Sequence, residues 1–145
     1  MEVASFGTLD LGPEPALPEA VAIAGELGLD LSEHRAARIA GLDRFDLVVG
    51  FERKHVTASV VDAGASAERT FTLPELVELL RSLPEPLPND PRSRIQAAHS
   101  ARPPDFRTEP VPEITDPLGL SAAVQREIAH EVEEQVAELA ELVFD

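Results

Sequence analysis

Residues 46–51, Asp46-Leu47-Val48-Val49-Gly50-Phe51, form an almost continuous apolar run six residues long. A run of that length without polar alternation is the pattern of a strand covered on both faces, as in a parallel sheet. Its flanks support the same reading. Residues 53–63 place Val56, Val60 and Val61 at helical spacing before Gly64, and Arg69-Thr70-Phe71-Thr72 then forms a short β-branched and aromatic strand. Thr72-Leu73-Pro74-Glu75 is a capping box with proline in the first turn, opening a helix whose buried stripe is Leu76, Val77, Leu79 and Leu80. Strands separated by helices imply a parallel α/β sheet with right-handed crossovers.

The remaining segments fill out one domain over residues 1–145. Val3-Ala4-Ser5-Phe6 is short and apolar enough for a strand, and Gly12-Pro13-Glu14-Pro15 forces a loop after it. Val21, Ala24 and Leu27 repeat every three residues in a helix from Pro18, which Gly28 ends. Ser32 is expected to cap a short turn carrying His34, Arg35 and Arg38. Nine of the 13 prolines lie between Pro84 and Pro117, so residues 84–115 are expected to be a long, Pro-rich, flexible loop. Its arginines, Arg92, Arg94, Arg102 and Arg107, are expected to be solvated. Val124, Ile128, Val132, Val136, Leu139 and Val143 recur every three or four residues, the mark of one long amphipathic helix with an exposed acidic face.

Charge and cysteine usage narrow the function classes. With 27 acidic and 12 basic residues the formal charge is −15, which disfavours binding to nucleic acid or to an anionic membrane. The chain has no cysteine, which removes thiolate metal sites and cysteine nucleophiles together. His55, His99 and His130 have no partners at metal-ligand spacing, so neither a metal nor a cofactor is expected. No apolar stretch approaches the ~18 residues of a spanning helix, and no basic-then-apolar leader opens the chain, so a cytoplasmic location is expected.

Several short segments, taken in order, carry a family resemblance. Val3-Ala4-Ser5-Phe6-Gly7-Thr8, then Gly28-Leu29-Asp30-Leu31-Ser32-Glu33-His34-Arg35, then the 46–52 run ending Phe51-Glu52, and finally Asp116-Pro117-Leu118-Gly119 before the last helix, resemble the low-molecular-weight protein tyrosine phosphatases. The resemblance implies an α/β fold with a parallel sheet flanked by helices, and hydrolysis of phosphomonoesters, phosphotyrosine on proteins above all, without a cofactor. It also implies that Asp116 is the general acid, and that Leu118 replaces an aromatic residue that would flank the substrate ring. A related activity on the same fold is thiol-dependent arsenate reduction; the Asp116-Pro117 pair favours the phosphatase.

The family's nucleophile is a cysteine in a phosphate-binding loop between its first strand and first helix. Backbone N–H groups and a bidentate arginine hold the phosphate there, and the thiolate attacks phosphorus. This chain contains neither that cysteine nor a serine or threonine followed six residues later by arginine between a strand and a helix. The domain is therefore expected to lack the family's first strand and helix, the strand being one that lies between residues 3–6 and residues 46–51. Two expectations follow: Met1 is a misassigned start with a cysteine loop encoded upstream, or the protein is a noncatalytic binding or scaffold derivative of the fold.

Overall fold

The computed structural model describes residues 1–145 as five α-helices and a two-stranded parallel sheet. β1 (Val48–Gly50) and β2 (Thr70–Thr72) pair in register Val48 with Thr70, Val49 with Phe71 and Gly50 with Thr72. The crossover between them is supplied by α2 (Arg53–Val61) and a 3₁₀ turn at Ala67–Arg69. The strand expected over residues 46–51 thus narrows to three residues. Val49 is 38% exposed and Phe51 43% exposed, so β1 is covered less completely than its apolar run implies.

β2 leads directly into α3 (Leu73–Ser82). The Thr72 hydroxyl accepts the Glu75 N–H and the Glu75 carboxylate accepts the Thr72 N–H, closing the expected capping box. Phe71, Leu76 and Leu80 then meet Ile95, Ala98 and Val143 in the main core. Leu73 and Val77, on the same helix, bury Ile114 against Ile128, Val132 and Leu139 of α5 (Ala122–Phe144). The α5 stripe is covered only in part, since Val124 and Val136 remain exposed. On α2, Val61 is 73% exposed rather than inward.

Residues 84–115 are not a continuous loop. Pro91–Ser100 forms α4, whose N-cap Asp90 accepts the Ser93 N–H at 3.0 Å, with Pro91 in the first turn and Ile95 and Ala98 buried. The dense prolines mask this helix, although Asp90-Pro91 is itself a helix-opening pair.

The N-terminal third departs furthest from expectation. α1 (Pro18–Glu26) forms as the spacing predicts, buries Ala24, and is joined to α5 by the exposed Glu26–Arg126 pair. Ser32 caps no helix; its N–H is bound by Asp30, and the segment continues to single bridges at Pro15–Arg35 and Gly7–Arg38. Residues 3–6 do not become a strand. Residues 1–6 make no backbone-to-backbone hydrogen bond, because nothing lies between them and β1 to pair with.

Candidate functional site

In an open parallel α/β sheet, ligands bind beyond the carboxyl ends of the strands. In this chain that place is the junction of β1 and α2 with the segment leading to Asp116. The Ile114 N–H donates to the Phe51 carbonyl at 2.8 Å, while the buried Ile114 side chain anchors the segment in the core beneath. One residue back, the Glu113 carboxylate accepts the Arg53 N–H at 2.6 Å, at the start of α2. Lys54 pairs with Glu52 at 2.9 Å, and that hydrogen bond, followed by the charges of Glu52, Asp116 and Glu113, raises the lysine above its ordinary pKa. Asp116 therefore stands within the field of Lys54 at the ligand-binding end of β1.

The local turn fixes Asp116 further. Its Oδ1 accepts the Leu118 N–H at 2.9 Å, an Asx turn of the kind Asp-Pro favours. Gly119 supplies the positive φ of 78° that closes the loop, and Ser121 then caps α5 by accepting the Val124 N–H. The Asp116 residue is exposed. Leu118 is 68% exposed.

The other polar groups singled out in the sequence have structural partners. Arg35 donates to the carbonyls of Ser32 and His34, and Arg38 pairs with Asp10 at 3.4 Å, so the His34 turn is held together rather than opened toward an anion. His55 Nδ1 accepts the Glu52 N–H at 3.3 Å. No group of three His, Asp or Glu side chains is placed to hold a metal ion.

The loop arginines divide. Arg92 pairs on the surface with Asp46, and the Arg107 guanidinium lies 5.7 Å from the centre of the Phe106 ring while the Arg107 carbonyl accepts from Arg53 Nη1 at 2.9 Å. Arg94 and Arg102 are not solvated as expected. Arg94 donates to the carbonyls of Pro88 and Leu142, and Arg102 is buried against Glu75. Spacing of Glu75 and Arg102 gave no signal of this pair, since 27 residues separate them.

Two cavities adjoin β-strands. One of about 270 Å³ lies between α2, β2 and residues 102–111, and the polar groups of Thr70, Thr72 and Arg102 in its wall are already hydrogen-bonded within the protein. The other, of about 290 Å³, runs between residues 4–8 and residues 47–51 and is capped by Ile39, Leu42, Phe45, His55 and Ser59.

No protein-family model matches this sequence. No curated protein sequence matches it either. Among solved structures it is similar to a low molecular weight protein tyrosine phosphatase from T. tengcongensis, with a TM-score of 0.68 and 24% identity. The match covers 97% of this chain and 76% of that one, so about a quarter of the phosphatase has no counterpart in residues 1–145. At this identity the likeness establishes the fold: the α/β architecture resembled in the sequence is the low-molecular-weight phosphatase fold.

Proposed function

We propose that this chain carries the general-acid half of a phosphomonoester hydrolase, with phosphotyrosine as the substrate class, and that it is inactive without a nucleophile loop. The placement of Asp116 at the ligand end of β1, anchored through Ile114 to Phe51, carries the reading. An exposed carboxylic acid there is suited to protonate a departing phenol oxygen and then to accept a proton from water. The thiolate that attacks phosphorus in the family is missing, since the chain has no cysteine.

The second reading, a noncatalytic binding or scaffold protein, is favoured by that same absence of cysteine. The two separate on a version of the protein extended upstream with whatever sequence is encoded in frame before Met1. The phosphatase reading expects a cysteine loop in the extension and hydrolysis of para-nitrophenyl phosphate that is abolished by Cys→Ser. Asp116→Asn then lowers kcat by about 10²–10⁴. An active extended protein indifferent to Asp116→Asn would remove Asp116 from the mechanism, and an in-frame stop codon directly before Met1 would leave the noncatalytic reading.

A further inference from the structure

The cavity of about 270 Å³ beside β2 joins apolar walls to positive charge. Thr70 and Thr72 border it while Phe71, between them, points into the main core, so the cavity lies on the face of β2 that α2 covers. Its lining runs from Arg53 to Val111 and shares no residue with the second cavity beside β1. The free edge of β1 takes no part in it.

Charge in the lining is one-sided. Three arginines, Arg53, Arg102 and Arg107, stand against one carboxylate, Glu75, a net charge of +2 within a chain whose formal charge is −15. Glu75 neutralises Arg102 at 2.8 Å, whereas Arg53 and Arg107 enter none of the arginine ion pairs. The Arg53 guanidinium is held by the carbonyls of Phe106, Arg107 and Glu109, which fix its position without a countercharge. Glu113 takes the backbone N–H of Arg53, not its side chain. Val56, Val60, Val61 and Val111 supply the apolar wall around these two cations.

We infer that this cavity binds a small carboxylate with an apolar body, an arylalkanoic or branched alkanoic acid, whose carboxylate meets Arg53 and Arg107 and whose body packs on the valines. The planar guanidinium fork matches a carboxylate at two points. A dianionic phosphate would cost more to desolvate against the valine wall, which favours the monoanion. The volume lies at the lower end of the roughly 300–1,000 Å³ of ligand pockets, so the body is no larger than a phenyl ring or a short branched chain with its linker.

The test records ¹⁵N–¹H correlation spectra of the 145-residue protein titrated with 3-phenylpropionate, with 4-methylpentanoate and with the uncharged 3-phenylpropanamide. Both carboxylates are expected to shift the signals of residues 53–61 and 102–111 saturably at millimolar concentration or below. The carboxamide binds about tenfold or more weakly, because it forfeits the charge-assisted hydrogen bonds. Arg107→Gln, at an exposed residue outside every arginine ion pair, weakens 3-phenylpropionate about tenfold and leaves the carboxamide unchanged. Thr57→Trp, at an exposed position in the lining, fills the cavity and abolishes binding. Circular dichroism of both variants matches that of the parent.

Absence of saturable shifts with both carboxylates at millimolar concentration overturns the inference. Equal affinity for acid and carboxamide does so too, since the arginines then contribute nothing. Shifts confined to residues 4–8 and 47–51 would assign the ligand to the other cavity, and binding indifferent to both variants would contradict the site as well. Binding rather than hydrolysis is the readout, so this inference and the general-acid reading can each fail without the other.

Discussion

Arg102 closes on Glu75 through two hydrogen bonds, Nε to Oε1 at 2.8 Å and Nη2 to Oε2 at 3.0 Å, with both side chains no more than 10% exposed. The same guanidinium donates to the carbonyls of Ala67 and Thr70 and stacks 3.8 Å from the centre of the Phe71 ring. Arg102 thus ties the chain after α4 to the start of α3 and to β2. Removing it leaves Glu75 charged, buried and unpaired. Arg102→Ala is expected to destabilise by about 3–5 kcal/mol in urea titrations. Arg102→Lys recovers little of that, because an ammonium cannot make the planar two-point contact. The double variant Arg102→Met with Glu75→Leu is expected to be far more stable than Arg102→Ala, since it leaves no charge behind.

Gly50 is required for space, not for backbone freedom. A Cβ at this position would stand 2.9 Å from His55 Cβ and 3.4 Å from the Val56 nitrogen, at the join of β1 and α2. Gly50→Ala is expected to cost about 1–3 kcal/mol through displacement of α2. Thermal melts would register this as a lower Tm, and an unchanged Tm would mean that α2 is not packed as described.

Thr72 serves two elements at once. Its hydroxyl accepts the Glu75 N–H at 3.3 Å and donates to the Pro112 carbonyl at 2.7 Å, so it both caps α3 and pins the segment before Asp116. Thr72→Val removes both bonds at constant shape and is expected to cost about 2 kcal/mol. Limited proteolysis between residues 103 and 113 should accelerate in Thr72→Val and stay near the parent rate in Thr72→Ser.

Acid is expected to loosen α4 through Asp90. The Ser93 side chain and backbone, in that order, hold the Asp90 carboxyl below its ordinary pKa of 3.8. A depressed folded-state value gives a stabilising contribution that is complete above about pH 4 and is lost as pH falls through the folded-state pKa. Asp90→Asn keeps the cap oxygen without the titrating charge. The difference in unfolding midpoint between the two proteins should therefore be constant near neutrality and change only below about pH 4. A difference that changed between pH 5 and 7 would contradict this assignment.

The sequence was most legible where a segment's own residues determine its structure. The capping box at Thr72, the valine-rich β1, and the spacing of Ile128, Val132 and Leu139 each carry a local reason for their element, and each element formed. Residues 3–6 were misread because a strand needs a neighbour: their composition suits a sheet, but no ladder reaches them. α4 was hidden because proline counts overrode the Asp90-Pro91 start and the Ile95–Ala98 spacing. Asp116 was singled out by the family resemblance, since Asp-Pro alone marks only a turn, whereas its anchoring through Ile114 and Phe51 depends on residues 63 apart and leaves no local pattern. The Arg102–Glu75 pair was invisible for the same reason.

The most direct measurement of the central claim is the initial rate of para-nitrophenyl phosphate hydrolysis by the 145-residue protein beside its Asp116→Asn variant. An acid loop without a nucleophile predicts that both rates equal the buffer background. Saturable turnover by the unmodified chain that falls on Asp116→Asn would contradict the account, because this chain would then hold a nucleophile other than cysteine.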